Sequence, residues 1–300
     1  GGEDLARCLE SIRASSTMPH EIVVVDDGST DDSPAVAACG GAKVFKTGGR
    51  CGPAAARNIG ARAATGEILF FIDADVCVQP DSVARVQADF AADDAPDAVI
   101  GSYDDDPAER DFLSQYKNLM HCFVHQSAKE QASTFWSGCG AIRRTVFLEF
   151  SGFDESYARP AIEDIELGYR LFQAGRRILL DKQLRVKHLK KWTFWKLVKT
   201  DVFDRGIPWT ELILRDRNMP NDLNLQLSQR VSVALAFVSV GFALLMTLYW
   251  KGYFLTPLFA ILLFVMGRYW LDTDADGDGI PDRGEDHGDD DGDGIWDYLD

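Results

Sequence analysis

Asp73 and Asp75, in the stretch FFIDADV, stand one residue apart at the tip of an apolar run. Two carboxylates at that spacing can present oxygen ligands to a hard divalent cation. Mg²⁺ or Mn²⁺ is commonly shared between such a pair and substrate phosphates. A second acidic pair, Asp26 and Asp27, ends the run EIVVVDDGS, and a third, Glu163 and Asp164, stands in AIEDIELGYRL. Each pair has a plainer reading: solvated turn residues for the first two, helix-capping acids for the third.

The elements around these residues weigh against the plainer readings. Residues 3–14 place Leu5, Cys8, Leu9 and Ile12 at helical spacing, and PAAARNIGARAAT opens at Pro53 as a helix closed by Gly66. Residues 22–25 and 68–72 are short, continuous apolar strands, and RILLD and LRVKH read as two more. Ile162, Ile165, Tyr169 and Phe172 mark a helix ended by Gly175. Buried strands alternating with helices predict an α/β layer with a mostly parallel sheet. In such sheets ligands sit beyond the carboxyl ends of the strands, so both aspartate pairs are expected at one crevice. His121 and His125 have i, i+4 spacing suited to zinc, but no third ligand is evident; they read as one face of a helix over 107–129.

The formal charge is −16, but residues 271–300 alone hold twelve Asp, one Glu and one Arg, so the other 270 residues carry about −4. No basic field of the kind nucleic-acid binding needs is present. Cysteines 8, 39, 51, 77, 122 and 139 form no CxxC pair, which argues against a zinc ribbon and fits a reducing compartment. Residues 231–250 carry no charge between Arg230 and Lys251, a length that spans a bilayer core. A shorter uncharged run, 253–267, is followed by the interfacial pair Tyr269 and Trp270 and suggests a hairpin. Residues 193–229 mix aromatics with bases and suit a membrane surface.

The motifs in order, DDGSTD, GPAAARNIGARAATGE, FFIDADV, WSGCGAIRR, AIEDIELGYRL and KH, resemble the family 2 glycosyltransferases of the GT-A fold, over roughly residues 3–190. The resemblance implies a nucleotide-sugar donor and assigns roles by position. Asp26 and Asp27 would contact the nucleotide base and ribose, and Arg57 the nucleotide or diphosphate. Asp73 and Asp75 would hold the metal and, through it, the donor diphosphate. Trp136, Gly138 and Gly140 would line the sugar and acceptor site. Glu163-Asp164 matches the ED motif whose aspartate acts as base, and His188 a late histidine that can join the metal. Asp164 at a helix N-terminus would feel a dipole that favours negative charge. One base without a covalent intermediate implies inversion at the anomeric carbon. The family's usual opening strand is not found, and Gly1-Gly2-Glu3 lacks a starting methionine, so a truncated N-terminus is expected. Arg205 and Trp209 only loosely echo the motif of processive members.

In the tail, DADGDGIPD (274–282) and DDDGDGIWD (289–297) repeat with a period of fifteen. Asp274, Asp276, Asp278 and Asp282, and again Asp289, Asp291, Asp293 and Asp297, alternate as Ca²⁺ ligands do, and the repeats resemble thrombospondin type 3 calcium repeats. A solvated acidic tail or a fusion after Leu271 are the alternatives.

The expected organisation is therefore a glycosyltransferase domain over 1–192, an interfacial segment over 193–229, a membrane hairpin over 230–270 and acidic repeats over 271–300. The expected protein sits in the cell (inner) membrane with its catalytic domain cytoplasmic, takes a lipid-linked or cell-envelope glycan as acceptor, and binds no nucleic acid. A nucleotidyltransferase of similar fold and a non-catalytic calcium-binding surface protein are the competing readings.

Overall fold

The computed structural model describes residues 1–157, 159–217 and 227–249. The chain divides into one unit of Gly1–His125 with Lys129–Met219, and another of Gln126–Ala128 with Pro220–Asp300. The elements run α1 (Gly2–Arg13), β1 (Val23–Asp26), α2 (Ser33–Cys39), β2 (Lys43–Lys46), α3 (Pro53–Ala63), β3 (Ile68–Ile72), β4 (Val76–Val78) and α4 (Ser82–Ala91). They continue with β5 (Ala98–Tyr103), α5 (Phe112–Gln126), β6 (Gln131–Ala132), β7 (Cys139–Arg143), α6 (Arg144–Glu149), α7 (Glu163–Gln173) and β8 (Ile178–His188). After β8 come α8 (Phe194–Val198), a π-helical segment (Lys199–Gly206), α9 (Ile207–Asp216) and α10 (Leu227–Tyr249).

This is a mixed α/β fold, but its sheet is not mostly parallel. Among the described residues, β1 pairs with β2 and β5 with β8 in parallel, whereas β3–β7, β5–β7, β4–β8 and β6–β8 are antiparallel. Continuous apolar runs report burial on both faces, not strand direction, so they could not separate the two arrangements. β5 and β7 are buried along nearly their whole length, so no polar alternation shows there, whereas β8 does alternate from Leu184 to His188.

The larger sheet has the order β3-β7-β5-β8-β4, with β6 paired to β8. Its two outermost strands, β3 and β4, are joined only by Asp73-Ala74-Asp75, so the sheet must curl until its edges meet at that turn. The turn is pinned from three sides. Asp73 N–H donates to Gly138 O at 3.4 Å, Val76 N–H to Asp73 O at 3.1 Å, and Leu189 N–H to Asp75 O at 2.8 Å.

Three boundaries differ from the sequence reading. α3 ends before Gly66, because Ala64 already turns to extended backbone at ψ 144. α5 starts at Phe112 rather than 107, because Asp111 stops the turn: its Oδ1 accepts from Ser114 N at 3.2 Å and its carbonyl from Gln115 N at 3.0 Å. The two strands expected at 177–181 and 184–188 are one strand, β8, interrupted where its register against β5 jumps between Ile100 and Ser102. Gly101 sits at that jump, where an added Cβ would lie 2.2 Å from Leu184 O.

The apolar run at 231–250 falls on α10, of which only part of the side chains are described; among the described residues no helix is long and apolar enough to cross a membrane. The run at 253–267 and all eight tail aspartates, from Asp274 to Asp297, lie outside the described residues.

Candidate active site

Arg57, on the buried face of α3, reaches two carboxylates at once. Its Nη1 donates to Glu163 Oε1 at 2.7 Å and its Nη2 to Asp73 Oδ1 at 2.8 Å. One side chain thus ties the end of β3 to the first turn of α7, with Glu163 standing 106 residues beyond Arg57. The Glu163 side chain is 5% exposed and that of Asp73 36%. Burial, and then the neighbouring Asp164, push the Glu163 carboxyl above its ordinary value despite Arg57. Burial works against the Arg57 charge, yet Asp73, Glu163 and Asp164 together hold it more firmly protonated than usual.

Asp164 follows at the start of α7. Its Oδ2 accepts from Ser137 N at 3.1 Å and from Ser137 Oγ at 3.0 Å, while Oδ1 accepts from Ile165 N at 2.8 Å. The carboxylate is therefore oriented by the loop that carries Trp136 and Gly138. Gly138 lies in the turn before β7 and Gly140 within β7, and both are close-approach glycines. An added Cβ at Gly138 would meet the Trp136 indole at 2.8 Å, and one at Gly140 the Trp136 carbonyl oxygen at 2.3 Å. Trp136 packs edge-on to Tyr103, with centroids 4.9 Å apart.

On the other side of the turn, Asp75 Oδ2 lies 3.7 Å from His188 Nε2. His188 is buried, stacked on Tyr103 at 4.5 Å and 8°, and its Nδ1 is 2.8 Å from Asn118 Oδ1. A carbonyl oxygen can only accept, so His188 Nδ1 carries a proton, and Nε2 is the ring nitrogen turned to the carboxylate. Burial opposes the Asp75 charge, but His188 and Lys190 keep its carboxyl below the ordinary value.

Adjacent octahedral ligands with bonds near 2.1 Å sit about 3.0 Å apart, so Asp75 Oδ2 and His188 Nε2, at 3.7 Å, could share one cation after a small side-chain shift. Among the described residues no group of three His, Cys, Asp or Glu is disposed around one point. The Asp75–His188 pair therefore fits a Mg²⁺- or Mn²⁺-type ion that completes its shell with phosphate and water, as such ions usually do. Asp73, the other member of the pair read from sequence, directs Oδ1 to Arg57.

Asp26 and Asp27 close β1 in the smaller sheet. Asp26 Oδ1 accepts from Ser29 N at 2.9 Å, and the Ser29 side chain, then its backbone N–H, hold the carboxyl below the usual range. Asp27 accepts from Cys51 N at 2.7 Å, Gly52 N at 2.8 Å and Thr47 Oγ1 at 2.8 Å. Burial raises the Asp27 carboxyl, but these donors outweigh it and leave it lowered. Asp27 thereby anchors the N-terminus of α3, the helix that carries Arg57.

His121 and His125 do share a helical face, with ring centroids 4.2 Å apart. Burial drives both toward the neutral form, His125 to about 4. Sequence reasoning missed Ser137, Asn118 and Tyr103. Ser137 sat inside the quoted WSGCG stretch, but Asn118 is 70 residues from His188 and no spacing links them.

Residues 2–150 match the family model described as Glycosyl transferase family 2. Glu163, Asp164 and His188 lie beyond that match. A glucosyl-dolichyl phosphate glucuronosyltransferase of Haloferax volcanii is 26% identical over 204 residues, covering 62% of this chain and 64% of that protein. A validoxylamine A glucosyltransferase of Streptomyces hygroscopicus subsp. limoneus is 29% identical over 207 residues, covering 57% of this chain and 45% of that protein. The chain thus spans less than two thirds of the length of either relative. Among solved structures, a mannosyltransferase from Pyrobaculum calidifontis in complex with GDP-Man and Mn²⁺ superposes with a TM-score of 0.59 at 20% identity, covering 91% of this chain and 84% of that one. That likeness establishes a GT-A-like fold. The match to Glycosyl transferase family 2 over residues 2–150 and the GT-A-like fold agree with each other.

Proposed function

We propose that this chain transfers a sugar from a nucleotide-sugar donor to an acceptor hydroxyl with inversion at the anomeric carbon. The observation that carries the reading is the Arg57 bridge, which sets Asp73 at the end of β3 against the Glu163-Asp164 pair of α7. Arg57 supplies positive charge where a departing nucleoside diphosphate gathers negative charge. Asp164, steadied by Ser137, takes the acceptor proton; Glu163 holds Arg57 in place. Trp136, seated by Gly138 and Gly140, walls the sugar subsite, and Asp26 and Asp27 stand at the nucleotide end.

A divalent ion held by Asp75 and His188, with Asp73 beside them, would neutralise the leaving diphosphate. The Mn²⁺ and GDP-Man in the Pyrobaculum mannosyltransferase support this choice of ion and donor class. The acceptor is a lipid-linked or cell-envelope glycan, and the catalytic domain works on the cytoplasmic face of the cell membrane, anchored through the apolar residues after 230. The glucosyl-dolichyl phosphate named for the Haloferax relative is an acceptor of this kind.

The test is a panel of nucleotide sugars with Mn²⁺, run on the wild-type chain and on Asp164→Asn. Release of nucleoside diphosphate that is lost in the variant, with its melting temperature unchanged, is the expected result. Release of pyrophosphate would assign a nucleotidyltransferase instead.

A further inference from the structure

Tyr103 ends β5, and three rings converge on it. The His188 imidazole lies against its face, with centroids 4.5 Å apart and planes 8° from parallel. The Trp136 indole meets it at a right angle at 4.9 Å, and His121 fills the corner, 4.4 Å from Tyr103 and 4.7 Å from Trp136. The Tyr103 backbone is itself fixed. It pairs with Val186 of β8, two residues before His188, and the next residue, Asp104, donates its N–H to Val186 O at 2.9 Å.

What the site asks of His188 is direction, since Nε2 has to be turned to Asp75. The bond from Nδ1 to Asn118 Oδ1 fixes one line through the ring and leaves it free to tip about that line. A flat neighbour against its face removes that freedom, and groups that orient a ligating histidine commonly set its affinity for the ion. On the other flank, Gly138 lets the backbone approach the Trp136 indole, while Tyr103 and His121 stand against the same indole. The plainer reading makes Tyr103 a filler, half-buried beside the core strands. A filler supplies volume alone, whereas a parallel contact with one ring and a right-angle contact with another specify orientation.

We propose that Tyr103 is a positioning residue for both flanks of the site, on the reading that Asp75 and His188 hold the divalent ion and Trp136 walls the sugar. Its ring sets the plane of His188 and the seat of Trp136, so the affinity for the ion is linked to the sugar wall through it.

The test is Mn²⁺ binding to the full chain without donor, followed by electron paramagnetic resonance. The acids at 271–300 can also take Mn²⁺, so the site's share is the binding lost in His188→Gln. Tyr103→Met keeps an apolar side chain there but presents no flat face, and should weaken that share about 10-fold or more. Tyr103→Phe keeps the ring and should bind as wild type. Trp136→Leu should weaken binding at least about twofold in the wild-type background and not at all in Tyr103→Met, because the link is already gone. A tyrosine that only fills space would leave the two Trp136 effects equal, and that result overturns the proposal. So does wild-type binding in Tyr103→Met, or a Tyr103→Phe variant as weak as Tyr103→Met. Where His188→Gln loses no binding, the reading of the ion site fails and the proposal falls with it; where His188→Gln loses binding and Tyr103→Met does not, the proposal falls alone. Should Tyr103→Met not fold, the wild-type chain with isotope-labelled histidine decides by nuclear magnetic resonance. The His188 ring protons, picked out among the five histidines by their absence in His188→Gln, should be shifted upfield by the Tyr103 face, and unshifted signals overturn the proposal.

Discussion

Replacing Arg57 by Met keeps most of the volume of the side chain and removes the charge that serves two carboxylates. The Glu163 arm dominates the cost, because its carboxylate is 5% exposed and would be left buried without a partner. Breaking one side of such a pair costs about 3–5 kcal/mol. The Asp73 arm adds little, since that side chain is 36% exposed and solvent screens it to about 0–1 kcal/mol. The lower end of the first range, about 3 kcal/mol, corresponds to a fall in melting temperature of about 6–12 °C for a domain of this size. Adding Glu163→Gln to Arg57→Met removes the orphaned charge and should return about 1–2 kcal/mol.

The pH dependence follows with a definite sign. Glu163 is already raised above its ordinary 4.5, and losing Arg57 raises it further. A raised carboxyl holds its proton better in the folded chain than in the unfolded one, so stability is greatest below the ordinary value and falls as pH climbs through the raised one. Arg57→Met should therefore lose ground to wild type as pH rises from 4.5 upward. Thermal denaturation across that range measures both effects. A variant within about 1 kcal/mol of wild type at neutral pH, or a Glu163→Gln addition that destabilises it further, would refute the bridge as the keystone of the site.

Three further outcomes can be checked separately. Asn118→Leu should weaken Mn²⁺ binding about 10–100-fold by electron paramagnetic resonance, because the partner that fixes His188 is gone. Its stability should fall by no more than about 1–3 kcal/mol: the buried His188 Nδ1–H loses its acceptor, while Asn118 Nδ2, buried without a hydrogen-bond partner in the wild type, is removed. Ser137→Ala removes the hydroxyl bond to Asp164 but keeps the backbone one, so kcat should fall about tenfold or more while the donor KM is kept. Gly168→Ala should cost about 3 kcal/mol in denaturant titration, since its Cβ would lie 2.1 Å from Phe135 N, a backbone atom that cannot swing away.

The residues of the site were legible in the sequence to the extent that they end or begin elements. Asp27, Asp73, Asp75 and Asp164 each stand where an apolar run meets a turn, and periodicity finds such places. Strand direction was not legible, because buried antiparallel and buried parallel strands carry the same apolar runs. Nor was the partnership of Arg57 with Glu163, or of His188 with Asn118, since these contacts depend on how the sheet curls to bring β3 and β4 together at one turn. The glycines at 138 and 140 illustrate the same limit from the other side. Their positions were visible, but their reason, the indole and carbonyl of Trp136 pressed against them, exists only once the loop is folded.

The central claim is that a divalent ion seated beside Asp75 and His188 grips the departing nucleoside diphosphate. Its most direct test is nucleoside diphosphate release from the preferred donor by the wild-type chain in excess chelator, with Mn²⁺ restored afterwards, and by Asp75→Asn in parallel. The account predicts that release stops in chelator, returns with Mn²⁺, and stays low in the variant. Undiminished release in chelator, or from Asp75→Asn, would contradict it.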